Sequence, residues 1–364
     1  MTKNIAVLTG DGIGPEIMAE ALKVLHAVGK KYGHIFNCEE APFGASAYFS
    51  HGNPFPKEAQ DVCDRADAIM KGPVGLAVNE MNRIPQEMRP EIGAILPLRK
   101  RYNTFANYRP VRLPASLASL SPLKPEIIGK GIDILMIREL VGGLYFGDKV
   151  EGTATGMKYS SDELIYTADE VRDIARVAFN EARKGKVKLT NVHKANVLAT
   201  SRFWNAIVDT VRAEYTDVVY ESVLVDNAAY QLVKNPAQYN GVMLFENMQG
   251  DILTDQAGGI LGSLGLMPSA CVGPAKTYVE PAHGSAPDIA GKNIANPYSM
   301  IGSVALMLEK AFGLDREANA VWNALTRVLT DGYRTVELTD ASTKKEYILG
   351  TKEFGDRVRD IVAE

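Results

Sequence analysis

Short apolar runs alternate with amphipathic segments along nearly the whole of this 364-residue chain, and that alternation restricts the fold more than any other feature. It is the pattern of an α/β protein with a largely parallel sheet. The runs Ile5–Leu8, Ala68–Lys71, Ile132–Ile137, Val187–Val192, Val218–Val225 and Val242–Phe245 predict strands. Helices are predicted between them. Pro15 stands near the start of the first, where a missing N–H costs nothing, and Ile17, Ala21, Leu25 and Val28 follow on one stripe. Another opens with Thr167 and Glu170 at capping-box spacing, turns Val171, Ile174, Ala175 and Phe179 inward, and stops at Gly185. The segment Asp148–Tyr159, with Gly152 and Gly156, fits neither period and reads as a loop or an extended arm. The polar stretch Thr339–Tyr347 reads as a surface connection before a last helix.

A chain of this length exceeds the usual single-core range, so two domains are expected, although no linker marks their boundary. Acids and bases are interspersed, and 40 against 44 gives a net charge of −4. That balance lacks the basic footprint of a nucleic-acid or anionic-membrane binder, leaving small molecules or a second copy of the chain as partners. Cys38, Cys63 and Cys271 share no metal-ligand spacing and read as reduced thiols of a cytoplasmic enzyme. No run of about 18 apolar residues predicts a membrane span, and the chain enters a strand pattern at Asn4–Thr9 without a signal-peptide layout.

Chemistry concentrates in a few places. Asp251 and Asp255 fall in Gly250-Asp-Ile-Leu-Thr-Asp255, and Asp226 precedes Asn227-Ala228-Ala229. On a helix, the i,i+4 spacing stacks two carboxylates on one face, where they repel unless a cation or protons intervene. Oxygen-only ligands suit Mg²⁺ or Mn²⁺; solvated acids near a helix N-terminus are the alternative. Arg99, Arg109 and Arg138 carry planar forks that bind carboxylates bidentately, and they are placed at strand ends, where open α/β sheets bind ligands. Taken singly, each reads better as a surface or ion-pair arginine. Tyr145, flanked by glycines in Gly142–Gly147, offers a phenol as proton donor or as packing. Lys194 ends a strand, and a lysine beside a cation is a candidate proton acceptor; its neighbour His193 reads as structural. The turn Gly10-Asp-Gly-Ile-Gly-Pro-Glu16 has the wrong glycine spacing for a dinucleotide fingerprint and reads as a tight strand-to-helix turn. Residues 280–297 are rich in turn formers, with His283 and Asp288 as polar handles, and could wrap a nucleotide with backbone donors. An aspartate at the adenosine ribose would favour NAD over NADP.

Together these motifs closely resemble the metal-dependent β-decarboxylating dehydrogenases, the family acting on isocitrate, homoisocitrate, tartrate and 3-isopropylmalate. The likeness covers nearly the whole chain in collinear order and is most specific over 247–255 and 280–297. Glu91–Arg99, Arg138–Gly147 and Asp288 look most like the isopropylmalate branch. The resemblance implies a non-Rossmann, two-domain α/β fold: residues 1–106 plus 263–364 as the larger, NAD-binding domain, and 107–262 as the smaller domain for dimerisation, metal and substrate, with an arm near 148–186. It implies NAD and Mg²⁺ or Mn²⁺ as cofactors, a 2-hydroxy dicarboxylic acid substrate, and a homodimer with shared active sites.

By position, Arg99, Arg109 and Arg138 would hold the malate carboxylates, Tyr145 would donate a proton, and Asp251 and Asp255 would bind the metal. Lys194 and Asp226 would reach in from the other subunit as base and third metal ligand. Ile95 and Leu96, with Val197 from the other subunit, would receive the alkyl group, and Asn196 would also bind substrate. Glu91 would lie near the nicotinamide ribose, and His283, Gly284, Ser285, Ala286, Pro287, Asp288, Ile289 and Asn296 would line the adenosine side. Three arginines and a divalent cation against three aspartates leave two positive charges, matching a malate dianion. The chain departs from the branch at His193, where aspartate is usual and histidine is more typical of homoisocitrate enzymes, at Val141 in place of threonine, and over 71–79. Two rival readings are another branch of the family and a catalytically silent homologue. Retention of Tyr145, Lys194 and all three aspartates argues against the second.

Overall fold

The computed structural model describes residues 1–364, apart from the side chain of Ala154. Strands follow in chain order as β1 (Thr2–Leu8), β2 (Ile35–Glu40), β3 (Ala68–Lys71), β4 (Ala106–Pro114), β5 (Gly131–Glu139), β6 (Lys149–Ala154), β7 (Met157–Asp162), β8 (Leu189–His193), β9 (Tyr220–Leu224), β10 (Gly241–Phe245), β11 (Pro268–Val272) and β12 (Thr277–Pro281). The chain divides into two compact units, Met1–Thr104 with Leu261–Glu364, and Phe105–Ile260.

In the first unit the strand order is β2-β1-β3-β12-β11, parallel except for the β11/β12 pair. Its core combines Ile5–Leu8 with the stripe Ile17, Ala21, Leu25 and Val28 of the Gly14–Tyr32 helix, all buried. The Tyr298–Phe312 helix is buried on every side from Tyr298 to Leu308, with the hydroxyls of Ser299 and Ser303 donating to Met267 O and Glu280 O.

In the second unit the order is β4-β5-β10-β8-β9, with β4 antiparallel and the rest parallel. The capping box at Thr167 is formed, and the Ala168–Gly185 helix packs Val171, Ile174, Ala175 and Phe179 inward. Lys186 adopts the left-handed conformation at φ 53°, and the N–H of Val187 closes on Ala182 O at 3.0 Å. That helix stop uses up residues 186–188, so β8 begins at Leu189 rather than at Val187. Similarly, Val225 opens a helix, which shortens the run predicted over 218–225 to β9. The Asp148–Tyr159 segment, expected as a loop or an extended arm, forms most of a hairpin of β6 and β7, separate from the main strands. Among the described residues no helix is long and apolar enough to cross a membrane.

Candidate active site

Two of the three arginines face the same way because of strand register. In the β4/β5 ladder Asn107 pairs with Arg138 and Arg109 with Met136, so Arg109 and Arg138 stand two positions apart on one face. Both are buried, and a buried guanidinium requires partners. The Asn247–Leu261 helix supplies them along one stripe: Asn247, Asp251, Thr254 and Asp255. Arg138 donates from Nε and Nη2 to Asn247 Oδ1 at 3.1 and 2.7 Å, and from Nη1 to Asp251 Oδ1. Arg109 Nη1 donates to Thr254 Oγ1 at 2.6 Å and to Asp255 Oδ1 at 3.2 Å.

Tyr145 follows β5 on a short 3-10 turn and donates its hydroxyl to Asp251 Oδ2 at 2.8 Å. Burial, followed by the bond to Asp251, pushes its phenol up to about 12, so it keeps its proton at neutral pH. The Asp255 carboxyl is raised, first by burial and then by the Asp251 charge, against the opposing pull of Arg109. The two carboxylates therefore share one face as the spacing predicts, and each feels the other's charge.

Lys194 is half-buried just beyond β8 and forms an ion pair with Asp226 Oδ1 at 3.0 Å. Asp226 lies in the first turn of the Val225–Lys234 helix, and its carboxyl is held low by the hydrogen bond from Lys194. Asn196 and Val197 are exposed beside them. Among the described residues, no three His, Cys, Asp or Glu side chains of the single chain come together as a metal site. Asp226 thus does not join Asp251 and Asp255 within one chain.

The arginines do not all lie at strand ends, as was expected of them. Arg138 does, but Arg109 is inside β4, and Arg99 belongs to the Leu96–Tyr102 helix of the first unit. There Arg99 is buried, with Nε donating to Tyr278 Oη at 3.0 Å and Nη2 lying 3.8 Å from Glu280 Oε1. Glu280 also pairs with the buried Lys71 at 2.6 Å. Glu91 opens a π-helical turn over Glu91–Ile95, and Ile95 and Leu96 are half-buried.

The 280–297 loop surrounds a cavity of about 190 Å³ lined by His283, Gly284, Ala286, Ile289 and Asn296 of the expected set. Pro287 and Asp288 are exposed at its margin, and Ser285 is buried with Oγ donating to Gly75 O at 2.8 Å. His283 Nδ1 meets Gly284 O at 2.9 Å, while its Nε2 is buried without a partner. Burial lowers the pKa of its imidazole, which is therefore neutral.

The tight turn after β1 closes on this loop. Gly10 and Gly12 have φ of 75° and 56°, and the Ile13 N–H donates to Ser285 O at 2.8 Å. A Cβ on Gly12 would stand 2.0 Å from Ser285 O. Sequence reading passed over Asp11, whose carboxylate accepts from the N–H groups of Ala45, Ser46 and Gly75 at 2.8 to 2.9 Å. It also passed over Ile13, Leu264 and Glu337, which line the cavity. Glu337 accepts from Ser263 and Asn296. An acid between two glycines was the one local signal for Asp11; Glu337 had none.

Known proteins place this arrangement in a family. The model for isocitrate/isopropylmalate dehydrogenase matches residues 4–358. A 3-isopropylmalate dehydrogenase from Moorella thermoacetica is 47% identical over 98% of both chains, and one from Thermotoga maritima is 45% identical over 97% of both. Among solved structures, isocitrate dehydrogenase from Methylococcus capsulatus superposes with a TM-score of 0.85 at 30% identity, covering 100% of each chain. A β-decarboxylating dehydrogenase from Thermococcus kodakarensis reaches 0.78 at 31% identity, over 99% of this chain and 96% of that one. With the model spanning nearly every residue and relatives close to half identical along their full length, the chain belongs to the isocitrate/isopropylmalate dehydrogenase family of oxidoreductases.

Proposed function

We propose that the protein oxidatively decarboxylates 3-isopropylmalate to 4-methyl-2-oxopentanoate and CO₂, a step of leucine biosynthesis, using NAD⁺ and Mg²⁺ or Mn²⁺ as a cytoplasmic homodimer. The observation that carries this reading is the joined unit of Arg138, Asp251 and Tyr145: a carboxylate binder, a hard-cation ligand and a protonated phenol linked by direct hydrogen bonds.

The residues fit both groups the reaction requires. Asp251 and Asp255 present only oxygen, as a hard divalent cation prefers, and two like charges on one face leave room for a counter-ion. Asp226 of the partner subunit would be the third ligand. For the dinucleotide, His283 brings an unsatisfied buried nitrogen to a cavity whose other polar side chains, Ser263, Asn296 and Glu337, are already hydrogen-bonded to one another. Asp288, exposed at its margin, would repel a 2′-phosphate and so favours NAD. When bound, the cation supplies Lewis acidity at the substrate oxygen and the dinucleotide a hydride acceptor.

The chain's own residues do the rest. Arg109 and Arg138 hold the malate carboxylates, and Arg99 is the third arginine of that set. Lys194 of the partner subunit, having first passed its own proton toward Asp226 3.0 Å away, takes the proton from the C2 hydroxyl as a neutral amine while C2 is oxidised. After the carboxylate on C3 leaves as CO₂, Tyr145, still protonated at neutral pH, delivers a proton to C3. Ile95 and Leu96 offer an apolar surface to the branched alkyl group, with Val197 of the partner subunit.

The test is formation of reduced dinucleotide from 3-isopropylmalate, homoisocitrate and tartrate, with NAD or NADP, with and without Mg²⁺ or Mn²⁺. Highest kcat/KM for 3-isopropylmalate with NAD and metal is the expected result. A preference for homoisocitrate would move the substrate to another branch, and no turnover of any acid would overturn the reading.

A further inference from the structure

Asn247 uses every polar group it has. Its side chain is fully buried, its Oδ1 accepts twice from the Arg138 guanidinium, and its Nδ2 donates to Gly142 O at 2.9 Å. Its backbone N–H donates to Tyr166 Oη at 2.9 Å. Gly142 and Gly143 begin the turn that carries Tyr145, and that turn lies directly on the Tyr166 ring. A Cβ on Gly143 would stand 2.4 Å from Tyr166 Oη, so the turn passes the ring too closely to admit a side chain there. One amide therefore links the guanidinium at the end of β5 to the carbonyl that starts the Tyr145 turn.

We propose that Asn247 is a positioning residue that sets the Arg138 guanidinium and the Tyr145 turn together, so that one side chain aligns carboxylate binding with the final protonation step. The amide suits this role because it is an acceptor on one end and a donor on the other. Arginine offers only donors and the Gly142 carbonyl only acceptance, so neither the carboxylate of aspartate nor the hydrocarbon of leucine satisfies both ends. The proposal rests on the reaction given above, in which Arg138 binds a carboxylate and Tyr145 protonates C3.

Its test uses the full-length enzyme with Asn247→Ala and Asn247→Asp, each checked for folding by thermal denaturation. Asn247→Ala is expected to lower kcat by about 100-fold and to raise KM for the acid, because displacing reacting groups by an ångström has effects of that order. Asn247→Asp keeps an acceptor for Arg138 but faces Gly142 O with a second acceptor. It should bring a first-turnover burst of reduced dinucleotide followed by a slow steady state, the mark of a late step made limiting. Because Asn247 acts through Tyr145, adding Tyr145→Phe to Asn247→Ala should reduce the rate far less than it does in the wild type. Folded variants with wild-type kcat and KM, or losses that simply multiply with Tyr145→Phe, would overturn the proposal. Failure of both variants to fold would also count against it, in favour of a purely structural role. If the wild type turns over a different hydroxy acid, the same ratios are measured with that acid, which separates failure of this inference from failure of the substrate assignment.

Discussion

The Asn247–Leu261 helix and the 280–297 loop build their sites by opposite means. On the helix, the proposed function rests on charged side chains projecting from regular structure, each matched by another: Asp251 with Arg138 and Tyr145, Asp255 with Arg109. In the loop it is carried by backbone: a left-handed Ala286 at φ 40°, a Ser285 carbonyl tied to Ile13 and a histidine whose outer nitrogen is unmet. The first site is specified by side-chain spacing and the second by conformation. Damage should therefore show as lost charge compensation in one and lost geometry in the other.

The largest effect is expected from Arg138→Met. The guanidinium is almost wholly buried, and its removal takes away both donors to the buried Asn247 Oδ1 and one of the partners of Asp251. Unfolding by urea should show a loss of about 3 kcal/mol, alongside loss of binding of the dicarboxylic acid. Glu139, at the end of β5, tests the same region through pH. It is fully buried, accepts from the N–H groups of Val141 and Gly142, and burial raises its carboxyl to about 7. Between the ordinary glutamate value and about pH 7 the folded chain thus binds more protons than the unfolded one. Stability from this group is complete at low pH and is lost as pH rises through that window, by roughly 3 kcal/mol in all. Glu139→Gln should flatten that slope in unfolding measurements across the window; an unchanged slope would mean that the carboxyl titrates elsewhere.

For the loop, Gly12→Ala should cost about 2 kcal/mol by thermal denaturation. It forces a side chain into a left-handed position and against the Ser285 carbonyl. KM for the dinucleotide should rise with it, while the acid KM stays nearly constant; equal change in both would erase the contrast between the two sites. His283→Leu is the mildest, within about 1 kcal/mol in stability, because it removes a buried nitrogen that has no partner. Its expected readout is weaker dinucleotide binding by calorimetry, and unaltered affinity would release His283 from the site.

Much of the local geometry of the helix-borne candidate site was legible in the sequence because its information is local. The i,i+4 acids, the proline at the start of the first helix and the capping box at Thr167 each specify geometry within a turn or two. The strand β4 was not legible: Pro110, Pro114 and two arginines break the apolar pattern, and register with β5 alone shows that Arg109 and Arg138 share a face. Asp11, Glu337, Asn247 and Tyr166 were not legible either. Their partners lie tens to hundreds of residues away, such as Ala45 for Asp11 and Arg138 for Asn247, and no spacing rule spans that distance. For the loop, the residues alone suggested irregular backbone that could wrap a nucleotide, with His283 and Asp288 as handles; the full set expected to line the adenosine side came only from the resemblance, since turn formers announce irregular backbone without saying what it encloses.

The most direct measurement is reduced-dinucleotide formation from 3-isopropylmalate as Mn²⁺ is titrated into the wild type and into Asp251→Asn, a change that removes one negative oxygen while preserving shape. If the helix acids hold the catalytic cation, wild-type activity rises with Mn²⁺ from almost nothing to saturation, and the variant needs far more metal and reaches a far lower plateau. Metal-independent activity in the wild type, or a variant that follows the wild-type curve, would contradict it.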